Sequence, residues 1–224
     1  MKVALVATSA SKLQSHETGL WLEELAGPYY VFQNVGYEIV IASPEGGAIP
    51  IDAASLGDGF FTDASKKFLH DATAVGMLSH SVKVSDLDLD SIDALFMTGG
   101  HGTCTDFIGQ PPLKTAIETV HKKGKVVCAV CHGPMCLVDC KNEDGSPLIQ
   151  GKKVTGFTNT EEEAVQLTST VPFLLEDKMK ELGGFYERAD DWNSKVCVDD
   201  KLITGQNPQS SESCAEAVVK VLSS

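Results

Sequence analysis

Short apolar runs rich in Val, Ile and Ala recur along the chain, separated by stretches long enough to be helices, and this alternation restricts the fold more than any other feature. Strands buried on both faces of a parallel sheet read as continuous hydrophobic runs, whereas strands with one wet face alternate. The pattern predicts an α/β protein with a mostly parallel sheet and helices on both faces. Strands are expected at Lys2–Thr8, Tyr37–Ala42, Ala94–Thr98, Val126–Val130, Lys153–Gly156, Lys195–Val198 and Leu202–Thr204, each bounded by Gly, Pro, Asp or Asn. Helices are expected at Leu20–Asn34, Pro112–Lys123, Pro134–Val138, Thr160–Thr168, Pro172–Leu182 and Ser211–Leu222. Gly27-Pro28 is a potential break in the first of these. The segment 44–90, studded with Gly and Asp, reads as an insertion over the sheet with a helix around Ala64–Leu69, not as a separate domain. No repeat or linker divides the chain, so one domain across 1–224 is expected.

Charge and cysteine usage narrow the function classes. Eighteen Lys and Arg stand against 31 Asp and Glu, a formal charge of −13, which repels a phosphate backbone or an anionic membrane surface. No apolar run approaches the roughly 20 residues of a membrane span, and the apolar start Val3–Ala7 is too short for a signal-peptide core. Neither nucleic acid nor membrane is expected as a partner. Seven cysteines make an odd count with no small-scaffold spacing, and a chain of 224 residues buries a core without staples. Reduced thiols and a cytoplasmic setting are the expectation.

Ligands in open parallel sheets bind beyond the carboxyl ends of the strands. There, Val126-Val127-Cys128-Ala129-Val130 runs into Cys131-His132-Gly133-Pro134. Small-x-nucleophile-x-Gly at a strand-to-helix turn is the geometry of G-x-S-x-G with Cys131 as nucleophile, and the small Ala129 and Gly133 let the turn close. A helix starting at Pro134 would favour thiolate over thiol. Cys128-x-x-Cys131 also admits a redox or zinc reading. Cys128, however, falls inside the strand, and Cys136 and Cys140 have no histidine downstream to complete a zinc site. No metal and no cofactor are expected.

A cysteine nucleophile needs a base. The six histidines are His16, His70, His80, His101, His121 and His132, and none lies beyond position 132. This excludes the glutaminase arrangement, in which the catalytic histidine and its acid follow the cysteine late in the chain. The base is His132 itself, favoured because its backbone N–H also faces an oxyanion site, or an upstream histidine brought in by the fold. One of Glu161, Glu162 and Glu163, just after the strand ending at Gly156, is expected to face and orient it. Thr98-Gly99-Gly100-His101-Gly102 ends at the same sheet edge, and Gly100 is the natural second oxyanion donor. Gly99 and His101 flank it as oxyanion and substrate-binding candidates. Neither phosphate-binding glycine motif is present.

The elbow Ala129–Pro134, the loop Gly99-Gly100-His101-Gly102 and the acidic run after Val154-Thr155-Gly156-Phe157 resemble the PfpI-type superfamily. Within it, the chain is similar to the class of heat-shock chaperones and glutathione-independent glyoxalases (glyoxalase III). Thr18-Gly19 followed by Glu24, the insertion after Ser43-Pro44, and Leu202-Ile203-Thr204-Gly205-Gln206-Asn207-Pro208 carry the likeness along nearly the whole chain. The resemblance implies a single-domain flavodoxin-like sandwich with Cys131 as nucleophile, His132 as base, Glu162 as orienting acid and Glu24, rather than Glu23, hydrogen-bonded to the thiol. It implies a homodimer acting without metal, glutathione or nicotinamide on a small reactive carbonyl such as methylglyoxal, giving D-lactate through a cysteine hemithioacetal.

Two rival activities fit the same elbow. One is a stress-response holding chaperone for unfolded client proteins, with the thiol as a redox sensor; the other is a cysteine peptidase or amidase. Phe60, Phe61 and Phe68 could form a client-binding patch, but core packing beneath the insertion is the expectation for such a cluster. Cys104, beside the glycine loop, could line the pocket; Cys136, Cys140, Cys197 and Cys214 read as packing residues.

Overall fold

The computed structural model describes residues 1–224. The chain opens with β1 (Lys2–Val6), a hairpin of β2 (Lys12–Leu13) and β3 (His16–Glu17), α1 (Glu23–Asn34) and β4 (Glu38–Ser43). Then come α2 (Asp63–His70), α3 (Ala72–Ser79), β5 (Val82–Lys83), β6 (Ala94–Met97), α4 (Thr103–Asp106), α5 (Pro111–Lys122) and β7 (Val126–Val130). A 3-10 turn (Gly133–Leu137) leads to β8 (Lys153–Val154), α6 (Asn159–Ala164), α7 (Leu175–Glu181), β9 (Phe185–Tyr186), β10 (Val196–Asp199), β11 (Leu202–Gly205) and α8 (Ser211–Leu222). The main sheet has seven strands in the order β10-β11-β7-β6-β1-β4-β5, parallel except for β10 at one edge. The chain builds outward from β1 in one direction and then in the other. That reversal opens a crevice where β1 and β6 meet.

Every residue of β6, β7 and β11 is buried, which accounts for their unbroken apolar sequences. α1 and α8 pack on each other, while α5 covers β6 and β7. Pro28 sits inside α1 without ending it. Gly27 beside it lets the helix approach α8: a Cβ there would lie 3.0 Å from Glu212 Cγ. A single core of 53 residues runs through the molecule, and Phe68, Ala74, Leu78 and Val84 bring the 44–90 segment into it. This segment also supplies the edge strand β5.

Several expected elements are corrected. The strand expected at Lys153–Gly156 is only Lys153–Val154 and pairs with β9 outside the main sheet; the next residue, Thr155, donates its N–H to the Thr204 side chain instead of a ladder carbonyl. The helix expected at Pro134–Val138 is a 3-10 turn starting at Gly133, so it carries little macrodipole to the elbow. The one expected at Thr160–Thr168 stops at Ala164, since Gln166 takes a left-handed φ of 62°. α7 begins at Leu175, not Pro172. α3, α4 and four two-residue strands, β2, β3, β5 and β9, carry too little pattern to be read from sequence.

Phe96, wholly buried on β6, packs edge-to-face on Phe32 of α1 with ring centroids 6.0 Å apart. Phe96→Ala is expected to destabilise the protein by about 3–5 kcal/mol, read as a lower urea midpoint at unchanged slope.

Candidate active site

The turn after β7 places Cys131 at φ 60°, in the left-handed region that a residue with a Cβ rarely enters. Two hydrogen bonds hold it there: Cys131 N–H donates to Gly205 O at 2.9 Å, and Phe157 N–H donates to Cys131 O at 3.0 Å. Such strain of about 1–3 kcal/mol persists only where the surroundings over-determine it. Close approach demands glycine on both sides of the elbow. A Cβ on Gly133 would stand 2.6 Å from Met97 O, and one on Gly99 would stand 2.6 Å from Glu24 Oε2 and 2.8 Å from His132 N.

Cys131 Sγ lies 3.4 Å from His132 Nδ1, and His132 Nε2 lies 2.7 Å from Glu162 Oε2. The other carboxylate oxygen, Oε1, is 2.8 Å from His101 Nε2. All four side chains are buried. Burial pushes Glu162 up, yet the charge of His132 and the hydrogen bonds from both imidazoles outweigh it and hold the carboxyl well below the usual carboxylate range. An ionised Glu162 accepts from Nε2 of each imidazole, so a ring that carries a single proton carries it on Nε2 and leaves its Nδ1 bare. His132 Nδ1 can therefore accept the thiol proton.

The local fold selects Glu162 from its neighbours. Thr158 and Glu161 form a capping box, so Glu161 turns back to the helix start and the next side chain points toward the histidines. Glu161 Oε1 also accepts from Trp192 N, Gln206 Nε2 and Asn207 Nδ2. Glu163 is exposed.

The first turn of α1 makes a similar division. Glu23 accepts from Thr62 and Ser65 of the insertion. Glu24, wholly buried, accepts from Gly99 N–H at 2.7 Å through Oε2 and lies within hydrogen-bonding reach of Cys131. Its Oε1 has no acceptor or donor partner of fixed geometry. Burial pushes the Glu24 carboxyl up to about 8. Burial also pushes the Cys131 thiol up, and an ionised Glu24 pushes it further, while the Gly100 N–H opposes the shift. The pair therefore holds at most one negative charge, and a thiolate forms here only with the proton on Glu24.

The sulfur opens into a cavity of about 350 Å³. Trp21, Phe60, Phe157 and Trp192 give it an aromatic wall, with His101 and His132 at its floor. Phe60 packs on Trp21, Phe61 is half-buried and Phe68 lies in the core, so the three phenylalanines form no common patch. Cys104 is buried and does not line the cavity, and the remaining cysteines are buried as well. The Gly100 and His132 N–H groups have no backbone acceptor, and the Gly100 N–H already approaches the sulfur, so the two are the available donors for an oxyanion formed there. Sequence reasoning missed the aromatic wall. Trp192, a lone indole among Asp190, Asp191 and Asn193, was its visible signal. His101, His132 and Glu162 also have the spacing of a cation site, with ligand atoms within 4.8 Å of one another. An ion there would displace both histidine–carboxylate hydrogen bonds.

Folded Glu24 keeps its proton to about pH 8, whereas in the unfolded chain it ionises near 4.5, so between these values the folded state binds more protons. Stability then falls as pH rises through this window. Glu24→Gln, which mimics the protonated carboxyl, is expected to abolish that loss. The stability of the natural protein relative to the variant should drop by up to about 1.4 kcal/mol per pH unit between pH 5 and 8. A difference independent of pH in urea unfolding would show that Glu24 ionises normally.

Glyoxalase 3 of Candida albicans is 34% identical over 98% of this chain and 97% of its own length. A glutathione-independent glyoxalase of Saccharomyces cerevisiae, HSP31, is 30% identical over 99% and 98%. Among solved structures, Rapid Encystment Protein 24 KDa of Francisella tularensis superposes with a TM-score of 0.94 at 38% identity, covering 99% of this chain and 98% of that one. Glyoxalase III of Candida albicans superposes with a TM-score of 0.91 at 32% identity, covering 99% and 97%. The model of the DJ-1/PfpI family matches residues 17–221, and the chain belongs to that family.

Proposed function

We propose that the protein is a glutathione-independent glyoxalase that converts 2-oxoaldehydes such as methylglyoxal into 2-hydroxy acids, D-lactate in that instance. The observation that carries the reading is the chain Cys131 Sγ, His132, Glu162, set at 3.4 and 2.7 Å beside two N–H groups without backbone acceptors in a small aromatic cavity. The relatives named glyoxalases, similar over nearly their full lengths, support it. Cys131 gives its proton to His132 Nδ1 as the sulfur attacks the aldehyde carbon. The Gly100 and His132 N–H groups hold the oxyanion, which then takes the proton back to give a neutral hemithioacetal. His132 next removes the hydrogen on C1 as a proton and returns it to C2, leaving a thioester. Water cleaves the thioester, releasing the 2-hydroxy acid and restoring the thiol.

Every step uses groups of this chain, the substrate and one water, so neither glutathione nor nicotinamide enters the balance. The cavity walls leave room for a small molecule, which fits a reactive carbonyl better than an extended peptide. The homodimer implied by the family likeness is part of the same proposal, and light scattering reads it.

Loss of methylglyoxal and formation of D-lactate, followed in metal-free, thiol-free buffer with a D-specific lactate assay, test this function. Cys131→Ala is expected to remove activity altogether; turnover that survives it would refute the mechanism. Glu162→Gln, which keeps size but not charge, should lower kcat by about 10²–10⁴-fold.

A further inference from the structure

The hydrogen bonds around Glu162 leave one basic atom without a partner. His101 and His132 each donate Nε2–H to a separate oxygen of the same carboxylate, at 2.8 and 2.7 Å, so each presents a bare Nδ1. At His132 that atom faces Cys131 Sγ. At His101 it makes no hydrogen bond within the protein, yet it is not among the sealed, unpaired polar atoms, which are Glu24 Oε1, Thr155 Oγ1 and Asn159 Oδ1. It is open to the cavity that His101 lines.

We propose that His101 is a second catalytic base, which moves a proton between the two oxygens of the bound substrate while His132 moves the other proton between its two carbons. The inference rests on the glyoxalase reading. The hemithioacetal R–CO–CH(OH)–S must become the thioester R–CH(OH)–CO–S, and that change relocates two protons. His101 Nδ1 first accepts the hydroxyl proton of the C1 oxygen. His132 Nδ1 then takes the C1 proton as His101 delivers its own proton to the C2 oxygen, and the electron pair released gives the enediolate with its charge on the C1 oxygen. His132 then protonates C2, and the C1 carbonyl forms. Both imidazoles end neutral, as they began.

The spacing of the rings orders these transfers. Their centroids are 4.0 Å apart, and one carboxylate serves both. Two imidazolium ions so close repel each other, and burial together with the neighbouring His132 lowers the basicity of His101. Glu162 compensates whichever ring is positive, so the protons move in turn.

His101→Gln retains an amide N–H for Glu162 and removes the base. Turnover of methylglyoxal, the rate of Cys131 alkylation by iodoacetamide, and deuterium uptake at C1 of recovered methylglyoxal in D₂O are measured on this variant and the natural protein. The expected result is a kcat lower by about 10²-fold at similar KM, with alkylation unchanged. Deuterium uptake at C1 should persist, because His132 still removes and returns that proton. His101→Asn is the second variant if the first does not fold, with the same expectation. Turnover retained in the variants, or turnover and C1 exchange lost in equal proportion, would overturn the role of His101 alone. A natural protein that turns over no 2-oxoaldehyde would overturn the glyoxalase reading and this role together.

Discussion

Glu162 is a buried carboxylate placed between two buried imidazoles, and the geometry of the site depends on that contact. A charge out of water is expensive unless it is paired and hydrogen-bonded, and here each oxygen has one nitrogen at 2.7 or 2.8 Å. The three residues come from the loop after β6, the elbow after β7 and the start of α6. Bringing them together therefore registers three chain segments against one another. It also fixes which nitrogen of each ring carries the proton, and so which atoms remain to act as bases.

The sheet supplies the second constraint. Parallel pairing of β6, β7 and β11 aligns their carboxyl ends, and Gly205 at the end of β11 accepts the Cys131 N–H that holds the elbow in its left-handed turn. The reversal at β1 brings the start of α1, and with it Glu24, to the same place. The charge state of the sulfur is then set by a neighbouring carboxyl and by peptide N–H groups, since the segment after the elbow is only a 3-10 turn.

The parallel sheet, the elbow and its pairing with an acidic run were legible because each rests on local pattern: continuous apolar strands, small residues flanking a cysteine, acids at a helix start. Histidine order narrowed the base to position 132 or earlier. The choices of Glu24 over Glu23 and of Glu162 over its neighbours were not legible from spacing, and came from family likeness. What separates Glu23 from Glu24 is a partner 39 residues away, Thr62, and what separates Glu161 from Glu162 is a capping box closed by Thr158. The aromatic wall was missed for the same reason. Trp21, Phe60, Phe157 and Trp192 are far apart in sequence and meet only through tertiary packing. The two-residue strands β2, β3, β5 and β9 fell below any periodicity a sequence can show.

Glu161 gives the site a hidden dependence. It touches no reacting atom, yet its two oxygens accept from five donors, on Thr158 twice, Trp192, Gln206 and Asn207. Replacing it would orphan donors on three loops at once. Among relatives descended from a common ancestor, Glu161 and Glu162 are thus expected to be retained with equal stringency, one as the keystone of a loop junction and the other for its hold on two imidazoles. Invariance at Glu161 and Glu162 would then record two selective pressures, and a count of unchanged columns would assign chemistry to a residue whose task is architectural.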